Sequence, residues 1–276
     1  MLNNIKIIGI DLDGTLFDDY KEISLYTKKV LDRAASKGIL IVPVTGRPLS
    51  GIPKSITDLP FISYIITSNG SLIYKFDNSF KKISESLIDN MSVLKLVTHL
   101  RKYDVIIEIF TEGKGYLNTD SLNSLLSMYK NSPVFDYLSS SRTGVSDVYE
   151  FFRINKLQAE NISVICKNTD QREIMVNELN TLGSFNFVYT TETGFEIGAE
   201  NADKGTALKY LCSLLKILPT QVAAFGDSAN DIGMLNFAEE SFAMEFSSKE
   251  VINASKHVAP SNNNDGVAKA IESYFL

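Results

Sequence analysis

At 276 residues the chain is long enough for one large domain or two modest ones, with ample length for a real core. Its 44 % hydrophobic and 22 % charged residues are ordinary for a soluble globular protein. The net charge of −6 speaks against a broad electrostatic grip on nucleic acid, and no apolar run approaches the ~18 residues that span a bilayer.

Residues 5–10, IKIIGI, are too few for a signal peptide core and are interrupted by Asp11. Rich in isoleucine, they read as a strand buried on both faces. Residues 24–37 carry Leu25, Val30, Leu31 and Ala34 on one helical face, with Ser24 as N-cap and Gly38 closing the helix. A second buried strand follows at 39–44. Pro48 suits the first turn of another helix, and residues 63–68 form a third strand. Strand, helix, strand, helix, strand is the order of a parallel sheet with right-handed crossovers.

From about residue 84 the grammar changes. A helix near 86–102, a hairpin over 104–118 turning at Gly113 and Gly115, and another helix come first. Strands near 148–153 and 161–166, a helix near 170–182 and two last strands, FNFVYTT and GFEIGA, complete it. The parallel grammar then resumes: helix 203–216, strand 222–226, helix 229–237, strand 241–245, and helices at 248–254 and 265–274. The predicted architecture is α/β. Residues 1–83 and 200–276 form a Rossmann-like core with helices on both faces of a mainly parallel sheet, and 84–199 form an inserted α+β domain with a mainly antiparallel sheet. Cys166 and Cys212 lack metal-ligand spacing and read as buried, reduced thiols of a cytoplasmic protein.

Ligands of open α/β sheets bind beyond the carboxyl ends of the strands. Asp11 sits at such an end. Thr45 and Gly46 follow the second strand, Ser68, Asn69 and Gly70 the third, and Asp227 the strand 222–226, with Asn230 and Asp231 in the next helical turn. Taken singly, Asp11 and Asp13 suit a turn and Asp231 a helix N-terminus. Those readings do not explain why three strand ends bring such groups to one rim. An EF-hand loop on Asp11, Asp13, Thr15 and Glu22 fails, because Leu16 stands where the loop needs glycine and a strand precedes it.

Four carboxylates, Asp11, Asp13, Asp227 and Asp231, would repel one another unless a divalent cation joined them. An all-oxygen set that shares ligands with phosphate suits Mg²⁺. Lys204 and Arg47 are candidates to bring the site near neutrality, so that it could receive a phosphate dianion. His99 and His257 are the only histidines, and neither a G-x-S-x-G nor a P-loop pattern is present. An aspartate nucleophile remains.

The segments DLDGT (11–15), VTGR (44–47), Lys204 within ADKG, and GDSAND (226–231) resemble the four motifs of the haloacid dehalogenase-like superfamily. The insert between the second and third motifs resembles a type IIB cap, as in the Cof-type sugar phosphatases. GIDLDGTL, SNGS, GDSANDIGML, the AM of FAME and DGVAKAI are similar to that subfamily too. The resemblance covers essentially the whole chain, and the pairing of DxDGT with GDxxND is its specific part. IGAENADKG, where relatives often carry a proline, and FAMEFSS depart from the pattern in loop shape and touch no catalytic group.

The resemblance implies a Mg²⁺-dependent phosphatase of small phosphate esters, with phosphosugars foremost. Asp11 would be the nucleophile and Asp13 the general acid and base. Mg²⁺ would be held by Asp11, the backbone carbonyl of Asp13, and Asp227, supported by Asp231 and Asn230. Thr45 and the N–H groups of Leu12, Asp13 and Gly46 would bind phosphoryl oxygens, Lys204 would neutralise charge, and Asn230 would also contact substrate. Arg47 would either face the substrate or form a surface salt bridge. The cap would exclude water and select the leaving group. Tyr116, Lys114 and Arg153 are its polar or aromatic candidates to face the cleft, although a solvated cap surface suits each better. A monomer or weak homodimer is expected, with no nucleic acid or membrane partner. A phosphomutase on the same core is the alternative. A non-hydrolytic phosphorylatable switch is the rival from another class, disfavoured by the second carboxylate at Asp13.

Overall fold

The computed structural model describes residues 4–276. The chain divides into two compact units. One holds the chain up to Gly46, Pro53–Glu85 and Asp203–Leu276; the other holds Arg47–Ile52 and Ser86–Ala202.

The first unit is built on a five-stranded parallel sheet. Its order is His257–Ala259, Glu240–Met244, Val222–Gly226, Ile7–Ile10, Leu40–Pro43. The two strands Ile7–Ile10 and Val222–Gly226 are buried along their whole length, with Ile10 opposite Phe225. Burial on both faces is why they are continuously apolar rather than alternating. Ile7, Val42, Leu208, Leu211, Val222 and Met234 share one core cluster. The helix Leu25–Ser36 begins as expected: the Ser24 hydroxyl accepts a hydrogen bond from the Thr27 amide at 3.0 Å. Because the strands are parallel, residues that follow them emerge on one edge.

The third predicted strand departs from expectation. Tyr64–Thr67 touches the parallel sheet through a single bridge, Val44 to Ile66. It then pairs antiparallel with Leu72–Asp77, which pairs in turn with Ser79–Glu85. The reversals come from left-handed backbone at Ser68, Asn69 and Gly70, and again at Asn78. Asparagine and glycine take that conformation most readily. Pro48 does not open an α-helix; it precedes a short 3₁₀ turn, Leu49–Gly51.

The second unit is a six-stranded sheet in the order Phe185–Tyr189, Gly194–Ala199, Asn161–Ile165, Ile106–Thr111, Lys114–Asn118, Arg142–Val145. All pairs are antiparallel except the last. The helices Asn90–Leu100, Val148–Asn155 and Thr169–Asn180 pack on one sheet face through Leu96, Leu100, Ile109, Phe152, Ile162 and Phe195. Residues 148–153, expected as a strand, lie in a helix. Asp147 caps it by accepting from the Glu150 amide at 3.1 Å, and Val148 and Phe152, four apart, are buried together. Aromatic and β-branched residues suggested a strand, but their burial follows the helical period. A smaller cluster, Leu117, Leu125 and Leu138, lies under the helices Thr119–Met128 and Phe135–Ser141. Among the described residues no helix is long and apolar enough to cross a membrane.

Candidate active site

Asp11 leaves the sheet while its amide still donates to the Phe225 carbonyl at 3.0 Å. The chain then turns sharply through Gly14, whose φ of +79° suits glycine. A Cβ at Gly14 would stand 2.5 Å from Asp227 Oδ2, so the absence of a side chain admits that carboxylate to the turn. Thr15 Oγ1 donates to Asp227 Oδ1 at 2.8 Å, and Ser228 Oγ donates to Oδ2 at 2.9 Å.

Lys204 joins the two motif-bearing strand ends. It opens the helix Lys204–Leu215, which Asp203 caps by accepting from the Thr206 amide. Its ammonium, 1 % exposed, donates to Asp11 Oδ1 and to Asp231 Oδ1, each at 2.7 Å. Asp231 is fully buried, and its Oδ2 accepts from the Asp227 and Ser228 amides at 2.9 and 3.0 Å. It therefore enters the acidic group with both oxygens already hydrogen-bonded.

Burial pushes the Asp11 carboxyl well above the usual carboxylate range. Lys204 opposes that shift, while Asp231 and Asp227 add to it. Burial, then the Asp231 charge, raises Asp227 as well. Lys204 moves in the direction that keeps it charged: burial pulls its pKa down, but Asp11 and Asp231 carry it above the ordinary lysine value. One ammonium thus serves three carboxylates, and the cluster retains negative charge.

Asp11, Asp227 and Asp231 each offer an oxygen within 4.8 Å of the others. These are hard oxygen donors with surplus negative charge, and Gly14 lets the Asp227 carboxylate pack directly against the turn that follows Asp11. The set fits a divalent cation of the Mg²⁺ kind.

The other predicted residues fall as follows. Asp13 is partly exposed, and its carboxylate takes an ion pair from Lys21 at 2.9 Å. Leu12 is buried beneath the turn. Thr45 is buried, its amide donating to the Ile66 carbonyl at 2.9 Å, and Gly46 lies beside Asn69. Asn230 Nδ2 donates to Asn69 Oδ1 at 2.9 Å. Arg47 is not at the surface. It is buried in the second unit, where it donates to the Gly51 carbonyl at 3.0 Å and stacks 4.4 Å from the Tyr137 ring centroid. Arg142 lies at the same distance from that ring and pairs with buried Glu108 at 2.8 Å. Tyr116 stacks on Phe151 at 4.9 Å, and Arg153 pairs with Glu150 on the surface.

Sequence reasoning assigned no role to Thr15, Lys21 or Ser228. Thr15 and Ser228 lie inside recognised motifs, so position alone could have flagged them. Lys21 carries no such signal, since its reach to Asp13 depends on the turn it follows.

A parallel sheet whose strand ends gather buried carboxylates around one lysine defines an α/β protein with an acidic rim at those strand ends. The chain belongs to the haloacid dehalogenase-like hydrolases, whose family model matches residues 8–271. It is 26 % identical to phosphatase YwpJ of Bacillus subtilis, across 96 % of this chain and 98 % of that protein. It is 27 % identical to the 5-amino-6-(5-phospho-D-ribitylamino)uracil phosphatase YwtE of the same organism, across 97 % of each. A solved haloacid dehalogenase-like hydrolase from B. subtilis superposes with a TM-score of 0.87 and 25 % identity, over 99 % of this chain and 100 % of that one. The chain is a Cof-type member of the family and a phosphatase.

Proposed function

We propose that the protein is a Mg²⁺-dependent phosphatase of small phosphate esters, phosphosugars foremost, that works through an aspartyl-phosphate on Asp11. The observation that carries this reading is the buried Asp11 carboxylate, at a strand end, hydrogen-bonded to Lys204 within the Asp11, Asp227 and Asp231 group. Asp11 and Asp227, with the backbone carbonyl of Asp13, would hold the metal, and Asp231 would support them. Bound there, Mg²⁺ would supply positive charge to the phosphoryl oxygens.

The chain's own groups divide the remaining work. An Asp11 oxygen attacks phosphorus as the bond to the leaving oxygen breaks, and Asp13 gives that oxygen its proton. The carboxylate so formed then takes a proton from water. The water oxygen attacks phosphorus, the bond to Asp11 breaks, and inorganic phosphate leaves with Asp11 restored. Lys204, the Thr45 hydroxyl and the amides of Leu12, Asp13 and Gly46 would stabilise the transferring group. At rest the Asp13 carboxylate meets the Lys21 ammonium at 2.9 Å. The inserted unit would exclude water and choose the leaving group. A cytoplasmic location accords with two buried, unpaired cysteines.

The test is phosphate release from a panel of esters, with hexose and pentose phosphates and phosphorylated polyols included because of the relative's substrate. It is run with and without Mg²⁺ on the wild type and on Asp11→Asn. Metal-dependent release that disappears in Asp11→Asn is expected. Full turnover by that variant would remove Asp11 as the nucleophile, and an isomerised ester in place of free phosphate would make the protein a mutase.

A further inference from the structure

The SNGS segment, noted in the sequence for its place at the rim, has no part in the chemistry above. It forms an unusual turn. Ser68, Asn69 and Gly70 have φ values of +50°, +54° and +95°, three left-handed residues in succession. All three are buried. Left-handed backbone costs non-glycine residues free energy, so surrounding contacts must hold the turn in place.

Those contacts reach three parts of the proposed site. The Asn69 amide donates to the Thr45 carbonyl at 3.1 Å. Its carboxamide lies against Gly46, where a Cβ would stand 3.1 Å from Oδ1 and 3.4 Å from Nδ2. Oδ1 accepts from Asn230 Nδ2 at 2.9 Å. Next door, a Cβ on Gly70 would stand 2.2 Å from the Asp203 carbonyl oxygen, so the turn packs directly against the start of the helix that carries Lys204. Asn230 Oδ1 is buried with no hydrogen-bond partner in the protein, so the linked carboxamides present one unused polar atom.

We propose that Asn69 is a positioning residue that sets the Thr45–Gly46 loop against Asn230, so that the phosphoryl-binding groups of two separate strand ends keep one geometry. Asparagine suits this place for two reasons. It tolerates left-handed backbone better than most residues, and its carboxamide brings an acceptor to Asn230 without adding charge where a phosphate dianion would sit. The inference rests on the proposed site and adds to it a residue that does not itself react.

The variant that separates the two reasons is Asn69→Gly, which keeps the left-handed turn and deletes the carboxamide. Kinetics are measured for it, for Asn230→Ala, for the double variant, for Asn69→Asp and for Asp11→Asn, with thermal melts to confirm folding. Removing a group that orients a site residue costs roughly 10- to 100-fold in activity, and we expect a fall of about that size in kcat for Asn69→Gly. The double variant should lose no more than the worse single one, because the two residues act as a unit. Asn69→Asp keeps the acceptor, so it should recover most of kcat while raising KM through charge repulsion of the phosphate. Wild-type kcat in Asn69→Gly, multiplied losses in the double variant, or a kcat as low in Asn69→Asp as in Asn69→Gly would each overturn the proposal. Undiminished turnover by Asp11→Asn would instead overturn the site beneath it.

Discussion

Lys204 is the residue on which the electrostatics of the rim turn. A buried ammonium with two carboxylate partners at 2.7 Å stays charged, and it offsets part of the cost of burying Asp11. Lys204→Met would leave Asp11, Asp227 and Asp231 together with no opposing charge. Removing one partner of a buried ion pair costs about 3–5 kcal/mol, and a loss of that order is expected in metal-free protein at neutral pH. The sign with pH follows from proton counts. Asp11 and Asp227 hold protons to higher pH in the folded chain than in the unfolded one, and without Lys204 they hold them to higher pH still. The folded variant therefore binds more protons in that window, and its deficit should shrink as pH falls toward the raised values. Urea unfolding of both proteins at pH 8 and pH 5.5 checks this; a deficit independent of pH would mean that lost packing, not charge, is responsible.

Among the elements, the strand Ile106–Thr111 shows how the second unit is held. It gives Ile107 and Ile109 to the helix-covered face, while Glu108 points the other way and meets Arg142 at 2.8 Å, with both side chains buried. Arg142 also lies 5.0 Å from the Phe110 ring centroid and 4.4 Å from that of Tyr137, the ring on which Arg47 stacks. Glu108→Ala would strand a buried guanidinium, and a stability loss of about 3–5 kcal/mol is expected in denaturant unfolding. Arg153→Ala breaks an exposed pair with Glu150 and should leave the unfolding midpoint unchanged. Equal effects from the two variants would show that burial does not decide the worth of these pairs.

For the whole molecule the observable is linkage between metal, pH and melting temperature. Without metal, Asp11 and Asp227 lower stability as pH rises through their raised folded values, because the folded chain must give up protons it holds more tightly than the unfolded chain. A cation held by those carboxylates offsets that loss. The melting temperature with Mg²⁺ minus that with EDTA should therefore grow from pH 5 to pH 8. A ligand at ~100 times its Kd adds about 2.7 kcal/mol, equivalent to a rise of roughly 5–10 °C at about 2–4 °C per kcal/mol. A shift that is absent, or that shrinks as pH rises, would show that the acidic rim does not bind the ion.

The fold class and the rim were legible in the sequence because both rest on local pattern. Isoleucine-rich runs ending on Asp11 and Asp227, and the capped helix after Ser24, declare themselves within a few residues, and the motifs carry the family resemblance. What needed the tertiary structure were features set by long-range contact. The segment 148–155 is a helix because Val148 and Phe152 find one core, although their types favour a strand. Tyr64–Thr67 turns into an antiparallel hairpin because three left-handed residues reverse it. Arg47 sits two residues from Thr45 in sequence, yet its guanidinium is buried against Tyr137, ninety positions away. Asn69 gains its meaning from Asn230, 161 positions along the chain. Local pattern specifies where a strand ends and which groups stand there; which groups then meet is decided by packing and by the requirement that buried polar atoms find partners.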